Sequence, residues 1–177
     1  AHVKVRQPVA PAALSKDVIA GKTKAAVCGA CHGVDGNSLV KTYPSLAGQN
    51  ADYIAKQLAD FKNGSSSGRN DPVMAGMVQT LTEQDMLELG AYFAAQTPAV
   101  GTASDNDIGR KIYFGGDTAR GVTACAACHG VNGKGMPNAG FPGIAGQHVE
   151  YLTTQLNNFR SKSRANDKNG MMRNIAK

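Results

Sequence analysis

The sequence predicts an all-α protein made of two small tandem domains related by an internal repeat. Three observations lead there. No stretch of the 177 residues alternates convincingly as a strand. Cys28-Gly-Ala-Cys31-His32-Gly-Val-Asp-Gly36 recurs as Cys125-Ala-Ala-Cys128-His129-Gly-Val-Asn-Gly133, offset by 97, and after one inserted residue Tyr43-Pro-Ser-Leu-Ala-Gly-Gln49 runs beside Phe141-Pro-Gly-Ile-Ala-Gly-Gln147, offset by 98. Each half is also short of core: Trp is absent, aromatics are 6% of the chain, and much of the 42% apolar share is Ala. A half-size domain so composed needs a staple.

The elements follow from local signals. Residues 1–13, with three valines and two prolines, read as an extended N-terminal arm. The first domain is placed at 14–97, with Ser15 capping a helix through Val18, Ile19 and Ala25. Asp52 to Phe61 is helical by period, with Ile54, Leu58 and Phe61 on one face. Thr82-Glu-Gln-Asp85 forms a capping box before Met86, Leu89 and Phe93 at helical spacing. Residues 98–104, around Pro98-Ala99-Val100-Gly101, make a linker. The second domain is placed at 105–177, opening with Asp107 as cap for Ile108 to Phe114. Lys177 aligns with Gln79, so this copy stops before the counterpart of the Thr82–Gln96 helix. The copy arithmetic predicts a chain longer by roughly 20 residues. No secretory leader opens the sequence, and Ala1 is read as a processed or expression start.

There is no run of eighteen apolar residues and hence no candidate membrane span. The net charge of +6 is unevenly spread. Residues 14–97 hold seven Lys/Arg against eight Asp/Glu, whereas 98–177 hold ten against five. The basic residues form no block of the kind nucleic-acid arms carry. Arg160, Lys162, Arg164, Lys168 and Arg173 gather around Met172, where they can steer an acidic partner.

All four cysteines lie in the two Cys-x-x-Cys-His frames. A disulfide framework does not need a His after each pair, and a thioredoxin-like pair would come once, beside a βαβ pattern. A zinc site is the rival, since the two frames together can supply four ligands. Covalent attachment of a c-type haem gives every residue of both frames a role. On one helical turn, positions i, i+3 and i+4 face the same way. Cys28 and Cys31, and likewise Cys125 and Cys128, then reach the two vinyl groups of a porphyrin, while His32 and His129 point at the iron.

A haem iron held by one His keeps an open axial position, and a thioether there makes a centre that moves electrons only. Met77, Met86, Met136, Met171 and His148 are rivals by residue type. Tyr53 meets Tyr151, Gln57-Leu58 meets Gln155-Leu156 and Phe61 meets Phe159, and the same ungapped register sets Met74 opposite Met172. These two are the predicted iron ligands; a slip of one residue would substitute Met171. Tyr53, Tyr151, Gln49 and Gln147 recur in both copies and are candidate donors to the haem propionates. His2 and His148 are read as exposed.

The chain resembles the dihaem cytochrome c4 family from about Lys24 onward. The resemblance rests on CGACHGVDGNS, YPSLAGQ, DYIAKQLADFK and LTEQDMLELGAYFAAQ, with CAACHGVNG, FPGIAGQ and YLTTQLNNFR in the second half. It implies two cytochrome c domains related by a pseudo-twofold axis, two covalent haems, and axial methionines at Met74 and Met172. Pro44 and Pro142 stand where similar cytochromes use a Pro carbonyl to accept a bond from the proximal His; otherwise they are loop prolines. The implied role is a non-enzymatic electron carrier, periplasmic or attached to the membrane surface, between a respiratory donor (a small soluble carrier or a bc-type complex) and a terminal oxidase. Similar dihaem chains serve as the cytochrome subunit of flavin-dependent sulfide dehydrogenases, which is the alternative. Dihaem peroxidases also carry two such frames but leave one iron open.

Overall fold

A computed structural model describes residues 15–101 and 106–177. The arm predicted over 1–13 and the last three residues of the linker (102–104) lie outside the described residues, as does His2. Within them the chain is helical and the only β pairing is isolated bridges.

The first half begins with α1 (Lys16–Lys24), where Ser15 Oγ accepts from the Val18 amide at 3.3 Å as expected of the cap. The motif turn is α2 (Gly29–His32). Then come α3 (Ala51–Asn63), α4 (Pro72–Val78) and α5 (Glu83–Ala94). The capping box forms: Thr82 Oγ1 accepts from the Asp85 amide at 3.2 Å, and Asp85 Oδ2 accepts from the Thr82 amide at 2.7 Å. Met86, Leu89 and Phe93 are buried, as the spacing required. Val18, Ala25, Ile54, Leu89, Tyr92 and Phe93 make the core, with Leu58 packed at its margin. Gly21 lets α1 approach α5 closely, since a Cβ there would lie 2.1 Å from the Glu88 carbonyl oxygen. Lys24 on α1 pairs with both Asp85 and Glu88 on α5.

The second half holds α6 (Asp107–Gly115), the motif turn α7 (Ala126–His129), α8 (Val149–Arg160) and α9 (Met171–Ile175). One cap differs from expectation. Asn106, not Asp107, is the N-cap of α6, its Oδ1 accepting from the Gly109 amide at 2.8 Å. Either side chain can cap, and the residue with extended backbone takes the role. None of α6 is buried: Ile108 is 73% and Phe114 53% exposed.

The repeat register is not ungapped. Arg69 stacks on Phe61 and Arg164 on Phe159, both at 4.5 Å from the ring centroid, and their backbones form an antiparallel bridge. The phenylalanines are 98 apart, but the arginines are 95 apart. The connector after α8 is therefore three residues shorter than Gly64 to Gly68 allows in the first half, and the chain regains length before α9. The two changes compensate, so Met74 and Met172 are again 98 apart although the register between Phe159 and Met172 is gapped.

The two halves meet through an approximately twofold set of hydrogen bonds. Gln49 Nε2 donates to the Gly143 carbonyl (2.8 Å), and Gln147 Nε2 donates to the Ser45 carbonyl (2.9 Å). Asn50 Nδ2 donates to the Pro137 carbonyl (3.2 Å). At the corresponding place His148 Nε2 donates to the Ser38 carbonyl (2.9 Å). His148 is thus half-buried at the domain boundary, where the sequence reading had it exposed.

Candidate functional site

Each motif is a single helical turn closed by a glycine. Gly33 and Gly130 sit at φ +80° and +77°, a region L side chains avoid, so the chain leaves the helix directly after the histidine. The turn puts both thiols and the imidazole on one side of the backbone. His32 and His129 are each only 8% exposed.

Both imidazoles are oriented identically. His32 Nδ1 donates to the Pro44 carbonyl at 2.8 Å, and His129 Nδ1 donates to the Pro142 carbonyl at 2.8 Å. Because a carbonyl only accepts, the proton is on Nδ1, and the Nε2 lone pair is left for a metal. The prolines are therefore acceptors rather than incidental loop residues. The proline loops are held in turn: Gly36 O accepts from the Leu46 and Ala47 amides (2.6 and 3.0 Å), and Gly133 O accepts from Ile144 and Ala145 (2.7 and 2.9 Å). Burial, acting against the Pro44 carbonyl, pushes the His32 pKa down and so favours the neutral imidazole a metal needs.

The four thiols are unpaired and half-buried, and burial pushes those of Cys28 and Cys125 up. Among the described residues no three His, Cys, Asp or Glu side chains converge on a point that could hold a metal ion. The two frames thus do not pool their ligands, and the zinc reading fails. Two separate turns remain, each with two thiols for thioether bonds and one oriented Nε2 for iron. The residues fit a covalently bound c-type haem in each half.

Met74 lies in the first turn of α4, capped by Asp71, whose Oδ1 accepts from the Val73 and Met74 amides at 3.0 Å each. Met172 lies in the first turn of α9, where Asp167 accepts from the Arg173 amide at 3.0 Å. Both methionines are half-buried, as is Met171, whereas Met77 is exposed and Met86 is buried in the first core.

The candidate propionate donors are engaged elsewhere in the protein. Gln49 and Gln147 hold backbone of the opposite half. Tyr53 Oη accepts from Arg164 at 2.9 Å, and Tyr151 Oη accepts from Arg69 at 3.4 Å. The basic cluster is also smaller than the sequence suggested. Arg164 is buried between the halves, and Arg173 pairs with Asp167 at 2.7 Å. Arg160, Lys162 and Lys168 are left exposed. Arg69 is not singled out by the sequence and Arg164 reads there as surface charge; the signal for their shared burial is an Arg a few residues past each recurring Phe, hidden by the change of offset.

Two helical domains, each with a thiol pair and an oriented histidine, define a c-type cytochrome with two covalently attached haems. The family model for cytochrome c matches residues 18–96 and 109–176. The chain is 45% identical over 169 residues to a cytochrome c4 of Azotobacter vinelandii, covering 90% of this chain and 80% of that one. It superposes on the crystal structure of reduced recombinant cytochrome c4 from Pseudomonas stutzeri with a TM-score of 0.88 at 44% identity, covering 92% and 90% of the two chains. A more distant relative, 35% identical over 159 residues and covering 86% of this chain and 72% of its own, is a thiosulfate dehydrogenase electron acceptor of Stutzerimonas stutzeri. The chain belongs to the cytochrome c4 family.

Proposed function

We propose that this protein carries single electrons in the periplasm between a respiratory donor and a terminal oxidase or similar acceptor, with Met74 and Met172 as the sixth iron ligands and no substrate turned over. The haem iron supplies one-electron chemistry when bound. The protein's own residues hold it in place: Cys28, Cys31, Cys125 and Cys128 as attachment points, His32 and His129 as proximal ligands. The observation that carries the reading is the identical Nδ1–carbonyl bond at both histidines, which dedicates each Nε2 to iron. A methionine in the first turn of a helix in both halves supports two closed, six-coordinate centres. The domains are assigned to 14–97 and 105–177, joined by 98–104. No helix among the described residues is long and apolar enough to cross a membrane. Arg160, Lys162 and Lys168 form the exposed basic face that would meet an acidic redox partner.

A second reading has the electron arriving from a sulfur-oxidising dehydrogenase, as the cytochrome subunit of a flavin-dependent sulfide dehydrogenase. The relative named as an electron acceptor of thiosulfate dehydrogenase favours a sulfur-compound donor in general terms. A pyridine haemochrome assay should give two haems per chain, and magnetic and near-infrared spectra should show thioether bound to both. Fewer haems, or a five-coordinate component reacting with peroxide, would overturn the carrier reading. Stopped-flow reduction by a bc-type donor and by a flavoprotein, run across ionic strength, separates the two donors.

A further inference from the structure

Each proximal histidine is joined to the opposite domain through one peptide group. The Pro44 carbonyl and the Ser45 N–H belong to the same planar unit. Its oxygen accepts from His32 Nδ1 at 2.8 Å, while its N–H donates to Gln147 Oε1, also at 2.8 Å. The second half mirrors this. The Pro142 carbonyl accepts from His129 Nδ1 at 2.8 Å, and the Gly143 N–H of the same peptide donates to Gln49 Oε1 at 2.9 Å. The far end of each glutamine amide is fixed as well, with Nε2 donating to the Ser45 or Gly143 carbonyl. Both amides therefore have a determined orientation, oxygen towards the N–H and nitrogen towards the carbonyl.

A peptide whose N–H is bonded has a more negative carbonyl oxygen, and successive bonds in such a chain strengthen one another. A stronger acceptor at Nδ1–H raises the basicity of the ligating nitrogen on the other side of the ring. We propose that Gln147 and Gln49 are positioning residues acting crosswise: Gln147 sets the donor strength of His32, and Gln49 sets that of His129. Each domain then tunes the iron centre of its neighbour, so domain docking is part of what sets the two potentials. This rests on the haem-carrier reading above. The neighbouring interdomain bond from Asn50 ends on the Pro137 carbonyl, outside the His129–Pro142 peptide, and so is a structural contact of the same interface without the relay.

The test is a redox titration of the full-length dihaem protein with the two haems resolved. A more basic histidine favours the ferric state, so Gln147→Met should raise the potential of the haem attached at Cys28 and Cys31. The expected size is about a twofold gain in its ferrous-to-ferric ratio at fixed solution potential, with the other haem unmoved. Gln49→Met should do the reverse. In the reduced proteins the Nδ1–H proton resonance of the histidine across the interface should move to lower frequency. Gln147→Asn, which keeps the amide but withdraws it, should act in the same direction should the Met variant fold poorly. Asn50→Ser, which keeps the α3 cap and loses the amide donor, should leave both haems in place. Equal shifts at both haems, a shift in the variant's own domain, or an Asn50→Ser effect matching Gln49→Met would reduce the glutamines to interface staples. Wild-type protein lacking two thioether-ligated haems would instead defeat the carrier reading; two intact haems with unshifted potentials would defeat the relay alone.

Discussion

Arg69 and Arg164 come from different domains yet share one acceptor: Gln155 Oε1 receives Nη1 of both, at 3.0 and 2.9 Å. Gln57 Oε1 is shared likewise, at 3.2 Å from Arg69 Nε and 3.0 Å from Arg164 Nη2. Neither guanidinium has a carboxylate partner among the described residues. Burial, then the nearby Arg164 charge, pushes the Arg69 pKa down. The domain boundary is thus built on two buried like charges dispersed over amides, phenols and aromatic faces.

Shared acceptors make the two arginines non-additive. Arg69→Met leaves Gln155 and Gln57 bonded to Arg164 and relieves the repulsion, so each single variant should cost only about 1–2 kcal/mol. The double variant loses both donors and has no second repulsion to relieve. Thermal unfolding should show it to be more destabilised than the sum of the singles, by about 1 kcal/mol. Additive behaviour would mean that the pair does not couple.

Gly21→Ala should destabilise the first domain by about 1–3 kcal/mol, the usual cost of overpacking. The new Cβ would meet backbone, the Glu88 carbonyl, and backbone cannot swing aside as a side chain does. Denaturant unfolding followed at the first haem should record the loss, while Gly76→Ala, at a site open around its Cβ, should cost no more than a few tenths.

The Lys24 clamp gives the first domain a defined pH response. The Lys24 ammonium, and after it hydrogen bonds from Thr82, hold the Asp85 carboxyl well below the usual carboxylate range. Lys24, with Gln84 after it, lowers Glu88. The Lys24 pKa is raised in return, chiefly by Asp85 and then Glu88. Depressed carboxylates contribute stability that is complete above their unfolded values, near pH 4, and is lost as pH falls through the lower folded values. A raised lysine contributes stability below its unfolded value that is lost as pH rises through the folded one. Stability from the clamp should therefore be flat across neutral pH and fall at both extremes. Lys24→Met should lower the plateau and shrink the acid-side loss, and an unchanged acid limb would refute the assignment.

Ligand deletion distinguishes the methionines. Met74→Ala and Met172→Ala should each convert one haem to a high-spin form that binds carbon monoxide, removing about half of the near-infrared thioether band. Met171→Ala should leave that band intact. The reverse result in the second domain would transfer the ligand role to Met171.

What could be read from the chain were features closed within a few residues. Cys-x-x-Cys-His needs one helical turn, the Thr82–Asp85 box is complete in four residues, and Ser15 caps the helix it precedes. Even locally, neighbours with equal chemistry can be exchanged: Asn106 and Asp107 both cap well, and backbone conformation chose Asn106. The sequence by itself determined two helical haem domains and the Cys-x-x-Cys-His turn in each, because periodicity, capping and motif spacing are encoded over single turns. Only the tertiary structure decided that Arg164 leaves the basic surface for the interface, that His148 bonds Ser38, and that Gln147 and Gln49 reach the peptides behind the opposite histidines. Those contacts join positions roughly a hundred residues apart, and hydrogen bonds across a folded boundary leave no period in the chain that makes them.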